Sequence, residues 1–133
     1  GRLDSLTQQR LEKLERLRSL GLDPYPAHYL RTHTMQQALA LFQEREDNPE
    51  SLPPVALAGR IRALRAMGKA TFLDLRDGSG KVQVYLRRDL LGEAKYELLR
   101  ELDIGDFLGV HGQLFRTHSG EVTVKASDSA PPR

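Results

Sequence analysis

The chain has 133 residues, no cysteine and a formal net charge of +2, with 29% charged and 39% hydrophobic residues. These figures fit one soluble globular domain with an appendage, and they exclude disulfides, cysteine nucleophiles and thiolate zinc sites. No run of about 18 apolar residues offers a membrane span and no signal-peptide pattern opens the sequence, so a cytoplasmic protein without a membrane partner is expected.

Residues 4–20 read as a helix, with Leu11, Leu14, Leu17 and Leu20 recurring among charges and Gly21 as the stop signal. The two prolines of Leu22-Asp23-Pro24-Tyr25-Pro26 demand an extended or turning chain. A second helix is predicted from Thr34 as N-cap through Met35, Ala38, Leu39, Leu41 and Phe42 to about Arg45. Asp47 to Pro54 is a polar linker. The period then changes from helical to strand-like. The first strand covers 55–64, with Val55, Leu57 and Ile61 inward and Gly59 suggesting a bulge or sharp bend. The second covers 70–76 and meets the third, 81–88, through the hairpin turn Asp77-Gly78-Ser79-Gly80. A short helix is predicted near 91–102. Gly105-Asp106 then turns the chain into a fourth strand, 107–116, and Thr117-His118-Ser119-Gly120 turns it into a fifth, 121–126. Ser127 to Arg133 reads as a linker stub.

Three strands, a helix and two more strands, with a glycine in the first strand, is the order of the OB-fold. The expected class is therefore mainly β: a five-stranded Greek-key barrel, helix between strands three and four, preceded by an N-terminal helical arm. Barrels of this kind commonly bind oligonucleotides on the face of strands two and three. The expected division is an arm and linker over 1–52, the barrel over 53–127 and the stub over 128–133.

The positive charge is concentrated. Residues 60–88 hold eight Lys and Arg against two acids, a net of +6, while both flanks are net negative. A local basic field attracts phosphates, although a merely solvated hairpin would carry the same charges. The same segment contains an anomaly of strand phase. Leu73 and Leu75 alternate inward, which puts Phe72 on the wet face with Asp74 and Arg76. On the next strand Val82, Val84 and Leu86 face inward, and Gln83, Tyr85 and Arg87 outward. Other outward positions are Arg60 and Arg62, then His111, Gln113 and Phe115, then Glu121, Thr123 and Lys125.

An exposed ring can stack on a base, and an amide can pair with the donor–acceptor edge of a pyrimidine. A carboxylate such as Glu121 can accept from a base N–H, and Arg60 and Arg65 can hold phosphates or a base carbonyl. The plainer alternative is that Phe72 packs under the N-terminal arm, that Gln83 is an ordinary surface amide and that Arg60 pairs with an acid. Gly78-Ser79-Gly80-Lys81 and Gly68-Lys69 lack phosphate-loop spacing, and the four histidines lack metal spacing, so no catalytic or metal site is nominated.

Val55-Ala56-Leu57-Ala58-Gly59-Arg60-Ile61-Arg62, the run from Arg65-Ala66-Met67-Gly68-Lys69 to Asp77, and Val82-Gln83-Val84-Tyr85 together resemble the anticodon-binding domain of class II lysyl-tRNA synthetases. Arg10-Leu11-Glu12-Lys13-Leu14 with Pro24-Tyr25-Pro26 resembles the N-terminal helix of that family and its exit. Gly105-Asp106-Phe107-Leu108 and Leu114-Phe115-Arg116-Thr117 with Gly120-Glu121 resemble its last two strands. The resemblance covers nearly the whole chain to about residue 126. It implies that Phe72 stacks on an anticodon base, that Gln83 bonds the central uridine of tRNA-Lys, and that Arg60, Arg65 and Glu121 complete the RNA-binding pocket. It further implies a catalytic domain beyond Arg133 that uses ATP and magnesium for lysine–tRNA ligation, with no cofactor in this chain. The parent enzyme would be a homodimer and this piece, as a fragment or a free-standing paralogue, a monomer. A general single-stranded nucleic-acid-binding barrel and a protein-interaction barrel docking through Leu11–Leu20 are the rival readings.

Overall fold

A computed structural model describes residues 8, 22–23, 30–87 and 102–126. Apart from Gln8, which is helical, and Leu102, the helices predicted over 4–20 and 91–102 lie outside the described residues, as does the stub. The described elements are β1 (Leu22–Asp23), α1 (Met35–Arg45), a single 3-10 turn at Pro49–Ser51, β2 (Val55–Met67), β3 (Ala70–Arg76), β4 (Lys81–Arg87), β5 (Phe107–Arg116) and β6 (Val122–Ala126). Strands β2 to β6 are the five predicted strands.

Alternation of side chains builds the barrel. Val55, Leu57, Ile61, Leu73, Leu75, Val82, Val84, Leu86, Leu108, Val110, Leu114 and Val124 are almost wholly buried in one cluster. The sheet closes on itself: β2 pairs β3, β3 pairs β4, β4 runs parallel to β6, and β5 joins β6 back to β2. The two-residue β1 adds to β5, pairing Leu22 with Val110. Two glycines mark the tight points. A Cβ on Gly112 would stand 1.9 Å from the Lys125 carbonyl oxygen, where β6 crosses β5. One on Gly59 would stand 2.6 Å from the Arg76 carbonyl oxygen and 3.1 Å from the Met35 methyl. Gly59 thus serves close approach rather than the expected bulge, which falls at Arg62, between the pairs Ile61–Leu75 and Ala63–Asp74.

Helix α1 stoppers one end of the barrel with Met35, Ala38 and Phe42. Its start is fixed twice. Thr34 and Gln37 form a reciprocal capping box, the Thr34 hydroxyl accepting from the Gln37 N–H at 3.1 Å and the Gln37 side chain accepting from the Thr34 N–H at 2.9 Å. The β3–β4 turn supplies the second hold. Met35 N–H donates to Asp77 Oδ2 at 3.0 Å and Gln36 N–H to Ser79 Oγ at 3.1 Å. The other oxygen of Asp77 accepts from the Ser79 N–H, the Ser79 hydroxyl and the Gly80 N–H at 2.7, 2.6 and 3.0 Å. At the far end of the helix Arg116 grips Glu46 through two nitrogens and lies 5.4 Å over the Phe42 ring.

Burial pushes the Asp77 carboxyl up, but the Ser79 hydroxyl and the N–H groups of Met35, Ser79 and Gly80 outweigh it, and the group titrates below an ordinary aspartate. A depressed carboxyl favours the folded state above the unfolded value, and that contribution disappears as pH falls through the folded value. Asp77→Ala should cost about 2 kcal/mol in thermal or chemical melts at neutral pH. Asp77→Asn should flatten the loss of stability below about pH 4.

Candidate nucleic-acid interface

Strand register arranges the outward side chains in rows that cross the barrel. One row runs Arg65, Phe72, Tyr85, Lys125 and Gln113. The next runs Asp74, Gln83, Thr123 and Phe115. A third sets Arg60 opposite Arg76 and Arg76 opposite Lys81. The pleat that buries Leu73 and Leu75 therefore gathers Phe72, Gln83 and Arg65 on one patch, as expected.

Phe72 is half-buried. Its ring centroid is 5.2 Å from that of Tyr85, tilted by 45°, and Tyr85 meets Phe115 edge-on at 5.9 Å. The three rings form an aromatic strip across β3, β4 and β5. Tyr85 and Phe115 share the outward phase of Phe72 and Gln83, so the signal was present in the sequence. What was missing was the register that brings β5 beside β4 across β6.

Gln83 differs from the expectation of an exposed amide. It keeps the outward phase yet is only 6% exposed, with the buried Thr123 opposite it on β6. Its Oε1 lies 3.3 Å from Thr123 Oγ1, whose second neighbour is the Glu121 carbonyl oxygen at 3.1 Å. A hydroxyl has one proton. Given to the nearer carbonyl, which can only accept, it leaves Oγ1 as an acceptor toward Gln83. Exchanging the amide oxygen and nitrogen then lets Nε2 donate to Thr123, since the two atoms occupy equivalent envelopes. Among the described residues, Oε1 and one N–H then have no further partner, side by side. A buried amide with spare capacity is uncommon in folded proteins.

Charges frame this amide. Asp74 lies 3.8 Å from Arg65 and 3.9 Å from Lys81, and Lys81 lies 3.9 Å from Glu121. Arg65 and Glu121 thus stand at opposite ends of one chain of ion pairs, with Glu121 half exposed and engaged by Lys81. Exposed pairs of this length add little stability, so their value lies in fixing side-chain positions. Arg60 does not join them. It is four residues' worth of strand from Phe72, about 13 Å, and its guanidinium donates to the Gly105 carbonyl at 3.0 Å. Gln113 donates to the Leu52 carbonyl at 2.9 Å and is spent on the fold. His111, also expected outward, is buried, and burial holds it below the ordinary histidine value.

Residues 55–129 match the sequence-family model of the tRNA anticodon type, described as the OB-fold nucleic acid binding domain. The chain belongs to this OB-fold family. The lysine–tRNA ligase of Dehalococcoides mccartyi is 49% identical to the OB-fold chain over 124 residues, which cover 92% of it and 25% of that protein. The lysine–tRNA ligases of Pelotomaculum thermopropionicum and Bacillus subtilis are 46% and 39% identical over 93% and 94% of the chain, and 24% and 26% of their own lengths. The chain thus spans about a quarter of these curated relatives. No helix among the described residues is long and apolar enough to cross a membrane.

The Gln83–Thr123 contact can be tested by a double-mutant cycle. Thr123→Val should cost about 1–2 kcal/mol by leaving the buried amide without its partner. Adding Gln83→Leu should recover most of that loss in chemical melts, because both polar groups are then gone.

Proposed function

We propose that this domain recognises the anticodon loop of a lysine-accepting tRNA, as one part of a lysine–tRNA ligase. The observation that carries the reading is Gln83: a buried amide with an acceptor and a donor to spare, beside an aromatic strip and inside the one strongly basic stretch. Uracil presents an N–H between two carbonyls. The Gln83 carbonyl accepts from the base N–H while its amide donates to a neighbouring carbonyl, a pairing that cytosine, with an amino group at one of those positions and no ring N–H, cannot repeat. Phe72 takes the face of a base, buttressed by Tyr85. Arg65 and Glu121, held by Asp74 and Lys81, flank the position, and Arg60 reaches the strand farther along.

In this reading ATP and magnesium serve the other three quarters of the parent enzyme, and this chain holds no cofactor. The parent acts in the cytoplasm as a homodimer, and the OB-fold chain alone binds RNA as a monomer without activating lysine. The similarity to lysine–tRNA ligases over more than nine-tenths of the chain supports this reading over a general single-stranded nucleic-acid binder.

An anticodon stem-loop reading UUU should bind roughly 10- to 100-fold more tightly than the same hairpin with cytidine at the centre, in fluorescence anisotropy at fixed salt. Gln83→Leu should erase that ratio. Phe72→Ala should weaken both hairpins by about 1–3 kcal/mol. Equal affinity for the two loops in the wild type would favour the general binder instead.

A further inference from the structure

Arg31, Arg60, Arg62 and Arg76 line an open cleft of about 670 Å³ together with Ala58, Gly59, Gly78 and Phe107. The only acid among its lining residues is Asp77. That carboxylate already accepts from Met35, Ser79 and Gly80 and stands 4.0 Å from Arg31, so little of it is left to neutralise the rest. Arg60 spends one nitrogen on the Gly105 carbonyl. Among the described residues the Arg62 and Arg76 guanidinium groups have no hydrogen-bond or ion-pair partner, and both residues are exposed.

The fold goes out of its way to assemble these cations. Arg60 and Arg76 stand directly opposite each other, and Arg76 stands opposite Lys81, so three positive side chains cross three strands in one row. Like charges in opposed positions destabilise a sheet. Alternation about the buried Ile61 adds Arg62 to the same cleft as Arg60, and the bulge follows directly after it. The row ends at Lys81, which also belongs to the ion-pair chain around Gln83, so the row of cations leads from the cleft toward the proposed base-reading patch.

We infer that this cleft is a phosphodiester track, holding the sugar-phosphate backbone of the same RNA strand whose base lies on Phe72, with Arg62 and Arg76 each contacting a phosphate. The inference rests on the RNA-binding reading above but assigns different residues to a different part of the ligand. A phosphate contact positions the strand and carries no base information. Its signature is therefore an effect on salt dependence, shared by all sequences, whereas Gln83 affects discrimination.

The test uses the whole chain and anticodon stem-loop hairpins, with affinity measured from about 0.05 to 0.3 M salt. Arg62→Gln and Arg76→Gln should each weaken UUU and UCU hairpins alike, by roughly five- to eight-fold at about 0.1 M salt, and lower the slope of log affinity against log salt by roughly 0.7–0.9. Replacing loop phosphates one at a time by neutral methylphosphonate should find linkages that weaken wild-type binding but not binding by the matching arginine variant. Phe72→Ala should leave the slope unchanged. Unchanged slopes in both arginine variants, or a wild type indifferent to every methylphosphonate in the loop, would overturn the track. If UUU and UCU bind equally while the arginine slopes still fall, the track stands and base selection fails. If no hairpin binds, both readings fall together.

Discussion

The carboxylate of Asp77 is the constraint on which the remaining structure depends. Its two oxygens join the β3–β4 turn to the first turn of α1. That bond seats Met35 over the barrel mouth, and Met35 in turn needs the space left by Gly59. One short polar side chain in a turn therefore fixes the angle of a helix, the closure of a core and the line of β2 where it passes the cationic cleft. The cost of burying the carboxyl is offset by N–H donors that would otherwise lack partners at the helix start.

Register does for the outer face what Asp77 does for the core. Each strand alone contributes one or two polar residues of no evident purpose. Paired, they become rows: rings beside rings, an amide between a carboxylate and a hydroxyl, cations beside cations. The rows are two residues apart along β3, so the proposed stacking, base-pairing and phosphate positions would be separated by fixed steps. A barrel is well suited to hold such spacing, because closure removes the free edges at which strands slip.

Much of this was legible in the sequence, for identifiable reasons. The bounds of α1 followed from a threonine cap and an apolar stripe ending before a polar linker. The strands followed from clean alternation, and β3 from Ala70 to Arg76 falls where expected. The phase of Phe72 and Gln83 was correct on the same grounds. The burial of Gln83 was not foreseen, since alternation gives direction but not what neighbouring strands place above a side chain. A bulge or sharp bend was expected at Gly59, where a glycine stands; the bulge occurs at Arg62, and Gly59 gives room to Arg76 and Met35. The aromatic strip and the cationic row depend on pairing between segments distant in sequence, which no local pattern encodes.

The parallel pairing of β4 with β6 has a consequence in time. Gln83 is built early in the chain, yet its partner Thr123 sits on the last strand, forty residues later. The returning β5 and then β6, which pairs with both β5 and β4, must arrive before the amide meets its hydroxyl partner. During synthesis, a nascent chain that has released β2, β3 and β4 from the ribosome carries the aromatic ring and the arginines but has no finished reading surface. A stalled or prematurely ended product that stops short of β6 would be basic enough to cling to RNA and too incomplete to choose among RNAs. If Gln83 reads the base as proposed, placing its hydroxyl partner on β6 ties selectivity to completion of the fold.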